Sequence, residues 1–167
     1  MQHLPAIRQP AAGRLTHLHF ECCVDLKSIQ SVSDCSQLRE LHMLCCTSLV
    51  ELGPLSVCSL LESVSLAQFS SVAILAALGA CSLLQHLIIS DTSVSDLTPL
   101  QALTNLLSLD MEECSSLTNL KPLSALQKLT LLRVPSDCDV EEVARILPAF
   151  TNLSVLSTWS TVVPDLA

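Results

Sequence analysis

The chain has 167 residues, half of them hydrophobic and only 2% aromatic, which is enough for one domain with a sizeable core of Leu, Val, Ile, Ala and Cys. Sixteen acidic against eight basic residues leave a formal charge of −8, which repels a phosphate backbone, so no nucleic acid is expected as a partner. The longest apolar run, Val72 to Cys81, reaches about half of the roughly 20 residues that span a bilayer, so no membrane partner is expected.

Residues 1–14 read as an N-terminal extension without the apolar core of a secretion signal. From Leu15 onward the chain repeats. The segments LTHLHF, LRELHM, LESVSL, LQHLII, LLSLDM, LTLLRV and LSVLST begin at Leu15, Leu38, Leu61, Leu84, Leu106, Leu129 and Leu153, at intervals of 23, 23, 23, 22, 23 and 24 residues. Each is a variant of L-x-x-L-x-L, which predicts parallel strands centred near Leu18, Leu41, Val64, Leu87, Leu109, Leu132 and Leu156. Two intervals continue into a proline phrase, DLTPLQALTN (Asp96 to Asn105) and NLKPLSALQK (Asn119 to Lys128), which predicts short turns returning each coil. Val72 to Leu78 reads as a short turn or a buried run. Asp139-Val140-Glu141-Glu142 has the form of a capping box ahead of Val143, Ile146 and Leu147, and predicts a short helix bounded by Pro148. About six and a half repeats fill residues 15–159, and residues 160–167 form a C-terminal tail.

This pattern resembles the leucine-rich-repeat family, from Leu15 to about Trp159. The proline-bearing units look like its internalin and phosphatase-regulator subclass, and the cysteines after the strand are similar to those of protozoan and plant members. The resemblance implies an α/β repeat solenoid: a horseshoe with a concave parallel β-sheet and mostly short turns or short helices on the convex side. One coil alone is open, and stacking closes it, so stability comes from nearest neighbours. Neither Met1 to Arg14 nor Ser160 to Ala167 looks like a cap, which predicts a longer parent chain, self-association or a partner at the ends.

Nine cysteines, an odd number in a chain without a secretion signal, read as reduced intracellular thiols, and the protein is expected in the cytoplasm. Cys22 and Cys45, Cys23 and Cys46, and Cys35, Cys58 and Cys81 recur at 23 residues, the period of the fold. Cys23, Cys46 and Cys114 fall on the ninth place of their coils, where the chain bends off the strand and a small weak donor suits a largely apolar site. Cys35, Cys58 and Cys81 share a column with Leu103 and Leu126, which indicates packing rather than zinc ligation.

In this family the third, fifth and seventh places of the strand face solvent on the concave side. The third place carries His17, Glu40, Ser63, His86, Ser108 and Leu131. The fifth carries His19, His42, Ser65, Ile88, Asp110 and Arg133, and the seventh Glu21, Leu44, Ala67, Ser90, Glu112 and Pro135. Two candidate surfaces follow. His17, His19, Glu21, Glu40 and His42 form a polar group able in principle to hold zinc or nickel, but exposed His and Glu on a sheet more often meet a protein or solvent. Asp110, Glu112, Glu113 and Asp91, with Arg133 beside them and Ile88 and Leu131 as apolar spots, suit a basic protein segment. Asp110 and Arg133 are expected to pair across neighbouring strands as an exposed ion pair, worth about 0 to 1 kcal/mol.

Only three glycines occur, without a phosphate loop, a G-x-S-x-G or a cysteine spaced to a general base, so no enzyme and no cofactor are expected. The expected function is a protein–protein interaction scaffold or adaptor whose concave face, at His17, His19, Glu40, His42, His86, Ile88, Asp110, Glu112, Leu131 and Arg133, binds a protein partner. The alternatives are a regulatory subunit of an enzyme or assembly and, in a different class, a metal site at the concave histidines.

Overall fold

The computed structural model describes residues 12–69 and 74–158. Seven short strands run through them, β1 (His17–Glu21), β2 (Glu40–Leu44), β3 (Ser63–Ala67), β4 (His86–Ile88), β5 (Ser108–Asp110), β6 (Leu131–Val134) and β7 (Val155–Thr158). They form one sheet in strict chain order, every neighbouring pair parallel. Leu18, Leu41, Val64, Leu87, Leu109, Leu132 and Leu156 lie in one register line across it. The L-x-x-L-x-L expectation is met at every coil, and the chain has the leucine-rich-repeat fold with an open sheet.

Between strands the chain returns through 3₁₀ turns at Gln30–Asp34, Gly53–Val57, Thr98–Ala102 and Lys121–Ala125. Pro54, Pro99 and Pro122 stand at the start of the last three, where a missing N–H costs nothing and the ring presets φ. Asp96 and Asn119 open two of these turns by accepting the N–H groups of Thr98 and Lys121 at 2.8 and 3.0 Å. Hydrogen bonding from the Thr98 side chain, and then from its backbone N–H, holds the Asp96 carboxyl below the usual carboxylate range.

Two coils replace the turn by a helix. In the third, α1 (Ile74–Leu78) buries Leu75 and Leu78, while Val72 and Ala73, the start of the turn expected there, lie outside the described residues. In the sixth, α2 (Val140–Ile146) begins at Asp139, whose side chain accepts from Glu141 N at 2.9 Å, and buries Val143 and Ile146. Only the first half of the capping box forms as read, because Glu142 turns to Arg145 instead. The proposed extension and tail lie outside the described residues apart from 12–14.

The core is one continuous stack of leucines with Cys35, Cys58 and Cys81 in the same inward column as Leu103 and Leu126, all five fully buried. Its ends are thinner. Leu18 on β1 is only partly buried, and Leu156 on β7 is 40% exposed, which departs from the expectation that every strand leucine lies inside. No described strand stacks beyond β7, so half of the neighbour contacts that bury Leu109 are missing there.

Candidate functional site

The concave face is built from the alternate residues of seven parallel strands, which stand about 4.7–4.9 Å apart. Chain position therefore fixes which side chains meet. The third-place line runs His17, Glu40, Ser63, His86, Ser108, Leu131, and the fifth-place line His19, His42, Ser65, Ile88, Asp110, Arg133, as the sequence columns require. Local structure divides this face into three zones.

On β1 and β2, Glu40 bridges two imidazoles: Oε1 lies 3.3 Å from His17 Nε2 and Oε2 lies 3.8 Å from His42 Nε2. Thr16 Oγ1, 2.8 Å from His17 Nδ1, holds that ring so that its other nitrogen turns to Glu40. His19 and His42 pack ring against ring, centroids 5.9 Å apart and planes tilted by 45°. Two histidines thus address one carboxylate while the third leans on its neighbour's face. Among the described residues, no three His, Cys, Asp or Glu side chains converge in a way that could hold one metal ion.

The middle zone is a dip. Ser65 and Ala67 on β3 are buried although both stand at outward places, a departure from the sequence reading. The reason is lateral: Ser65 pairs in register with His42 on one side and Ile88 on the other, and the larger side chains overhang it. Small, covered residues on β3 thus separate the histidine strands from β4.

On β4 to β6, His86 and Ile88 project to solvent, and Leu131 is partly exposed. Asp110, expected on the surface, is only 7% exposed. Its Oδ2 receives Arg133 Nη1 at 3.0 Å and its Oδ1 receives the backbone N–H of Glu112 at 3.1 Å. The expected pairing with Arg133 holds, but not as an exposed pair. Asp110 is a bracket under the surface, and the groups that a partner meets are Arg133, half-exposed, and Glu112, 3.8 Å from Arg133 Nε. His86 lies on β4, on the far side of β3 from the histidine group.

The rim beyond the strand ends holds a feature absent from the sequence reading. Cys22, Cys45, Gln68, Asp91 and Glu113, one residue per coil, all adopt left-handed backbone, with φ between 51° and 62°. Glycine or asparagine is the usual occupant of such positions, and none of the five is either. The N–H groups of Cys22, Gln68 and Asp91 continue the sheet ladder onto the carbonyls of Leu44, Ser90 and Glu112 at 2.9, 3.0 and 2.8 Å. The first cysteine of each pair thus occupies a backbone position, and Asp91 and Glu113 belong to the rim rather than to the strands.

The second cysteine behaves as expected. Cys23 and Cys46 donate to the carbonyls of Glu21 and Leu44 at 3.6 and 3.5 Å, and Cys114 to that of Ile89 at 3.0 Å. Thr92 fills the ninth place of its coil and donates to Ile89 O at 2.7 Å, whereas Phe69 fills it by volume alone. All nine cysteines are free thiols.

No family model and no curated protein matches the chain. Among solved structures it is similar to an internalin from Listeria monocytogenes, with a TM-score of 0.74 at 21% identity, over 92% of this chain and 50% of that one. It is also similar to internalin C2 from the same organism, with a TM-score of 0.66 at 22% identity, over 80% of this chain and 57% of that one. The chain thus spans about half the length of these neighbours. Among the described residues no helix is long and apolar enough to cross a membrane. At this identity the likeness is one of fold: the described coils share the leucine-rich-repeat fold of these neighbours.

Proposed function

We propose that the concave face is a protein-interaction scaffold and that it binds a protein segment across β3 to β6. The observation that carries this reading is the charged patch of half-exposed Arg133 and partly exposed Glu112, held over the buried Asp110 carboxylate. Ile88 and Leu131 supply apolar anchors beside it, and Glu112, Asp91 and Glu113 supply charge for steering, so the segment is basic with at least one apolar side chain. The histidine patch of His17, His19, Glu40 and His42, with His86 on the far side of β3, extends the contact line towards β1.

Binding without catalysis is the reading, and nine free thiols suit a reducing, intracellular setting such as the cytoplasm. The test compares capture of the native partner by the wild-type chain and by Ile88→Glu and His86→Glu, both exposed and outside the core. Expected is loss of capture at unchanged melting temperature. Normal capture by both variants would move the site off this face. Asp110→Lys is unsuitable as a surface probe, because it places a cation in a buried bracket.

A further inference from the structure

Cys22 and Cys45 directly follow β1 and β2, and because Glu21 pairs with Leu44 in register, the two cysteines face one another across adjacent coils. Their φ values, 51° and 53°, are alike, so both side chains leave the backbone in the same sense, and Cys22 N is fixed to Leu44 O at 2.9 Å. Parallel neighbours stand about 4.7–4.9 Å apart, within the Cα separation of about 4.4–6.8 Å that a disulfide spans. Desolvation, and after it the neighbouring Cys22 thiol, pushes the Cys45 thiol above its ordinary value. Cys22 is exposed and Cys45 half-buried, donating on its other side to Gln68 Oε1.

The remaining thiols are placed differently. Cys23 and Cys46 point inward onto backbone carbonyls, Cys35, Cys58, Cys81 and Cys114 are buried, and Cys138 stands near α2. Along the rim the column continues as Gln68, Asp91 and Glu113, which cannot be oxidised to a bridge. Only the first two coils carry a thiol pair at an accessible edge.

We propose that Cys22 and Cys45 are a redox modification site, a reversible disulfide that staples the first coil to the second and forms by exchange with a low-molecular-weight disulfide. Cys22, the accessible sulfur, loses its proton and attacks one sulfur of the external disulfide, expelling the other half as a thiolate. Cys45 then loses its proton and attacks the Cys22 sulfur of the mixed disulfide, expelling the second small thiolate. Two electrons pass to the external disulfide, which leaves as two thiols after each thiolate takes up a proton. Excess small thiol reverses both steps. The bond withdraws the Cys45 donor from Gln68 and ties the strand ends beside the histidine patch.

The full chain, reduced and then held in buffers of oxidised and reduced glutathione, is quenched by alkylation and read by intact mass and peptide mapping. Expected is a monomer that has lost two of its nine alkylatable thiols, so that its quenched mass lacks two alkyl groups and the two thiol hydrogens of the bridge, without a glutathione adduct. Cys22→Ser and Cys45→Ser each abolish the bridge, Cys23→Ser keeps it, and excess reduced glutathione removes it. A bridge that survives Cys22→Ser, maps to Cys23 and Cys46, or links two chains overturns the assignment. So do glutathione adducts without a bridge, and so does a wild-type chain that keeps nine thiols throughout.

Discussion

Arg133 Nη1 donates to Asp110 Oδ2 at 3.0 Å, and the same two residues are direct partners in the β5–β6 register. The pair is asymmetric: the carboxylate is buried and also accepts the Glu112 N–H, while the guanidinium is half-exposed. Asp110→Ala removes an acceptor from two donors, one of them a backbone group at the strand end, and is expected to cost about 1–3 kcal/mol in urea unfolding. Arg133→Ala leaves the buried carboxylate without its counter-charge and with only the Glu112 N–H donating, and is expected to cost at least as much. An Asp110→Ala chain as stable as wild type would show that the bracket carries no structural weight.

Leu109 and Ser108 are chain neighbours on opposite faces of β5, the leucine fully buried and the serine partly exposed. Leu109→Ala is expected to cost about 2–5 kcal/mol, whereas Ser108→Ala stays within about 0.5 kcal/mol. Thermal melts of the two variants check the assignment of faces. Equal shifts would contradict it.

The register was legible because the repeat constrains it twice, once through inward leucines and once through a near-constant period, and a one-residue slip would have turned both outward. The Asp139 cap was legible for a local reason: its acceptor needs only the N–H two residues on. The depth of the concave residues was not. Ser65 and Asp110 stand at outward places, yet one is buried by the bulk of His42 and Ile88 beside it, and the other by the donors it recruits. Place in a repeat sets direction, while exposure depends on the neighbours one coil away. The left-handed rim was hidden because Cys22, Gln68 and Glu113 are not residues whose identity announces a positive φ.

Burial raises the Cys58 and Cys81 thiols from an ordinary value of 9.0 to about 11. The folded chain therefore holds these protons more tightly than the unfolded chain does. Their contribution is fully present below about pH 9 and is lost as pH rises from about 9 towards 11, where unfolded thiols ionise and folded ones do not. The chain has no tyrosine and three lysines, but burial also raises the Cys35, Cys46, Cys114 and Cys138 thiols, so those groups share the decline. Urea unfolding between pH 8 and 11 should show the decline, and Cys58→Val with Cys81→Val should make it shallower. A decline of equal slope in that double variant would assign the loss elsewhere.

Asp139 caps α2 through a single bond to Glu141 N, and α2 covers the sixth coil with Val143 and Ile146. Asp139→Ala is expected to cost about 0.5–2 kcal/mol, and Asp139→Asn much less, because the amide oxygen keeps the acceptor. Hydrogen exchange at Val143 and Ile146 should quicken in the alanine variant only. Equal protection in both variants would mean that packing alone holds the helix.

Glu112 and Glu141 separate local charge from net charge at the proposed binding face. Glu112 is partly exposed on the concave side, 3.8 Å from Arg133 Nε, and Glu141 is exposed on the convex side, 3.6 Å from Arg145 Nη2. Each loses one weak ion pair on reversal to lysine, and each reversal changes the chain's net charge by the same amount. Long-range repulsion of a basic segment is therefore altered equally, and any difference in binding belongs to position. Glu112→Lys is expected to slow association with the captured partner and to weaken its dependence on salt, since a steering charge near the contact acts within a Debye length of about 10 Å at 0.1 M. Glu141→Lys is expected to leave both unchanged. If the two variants bind alike, or if Glu141→Lys is the weaker, the charged contact lies on the convex side and the concave assignment is wrong.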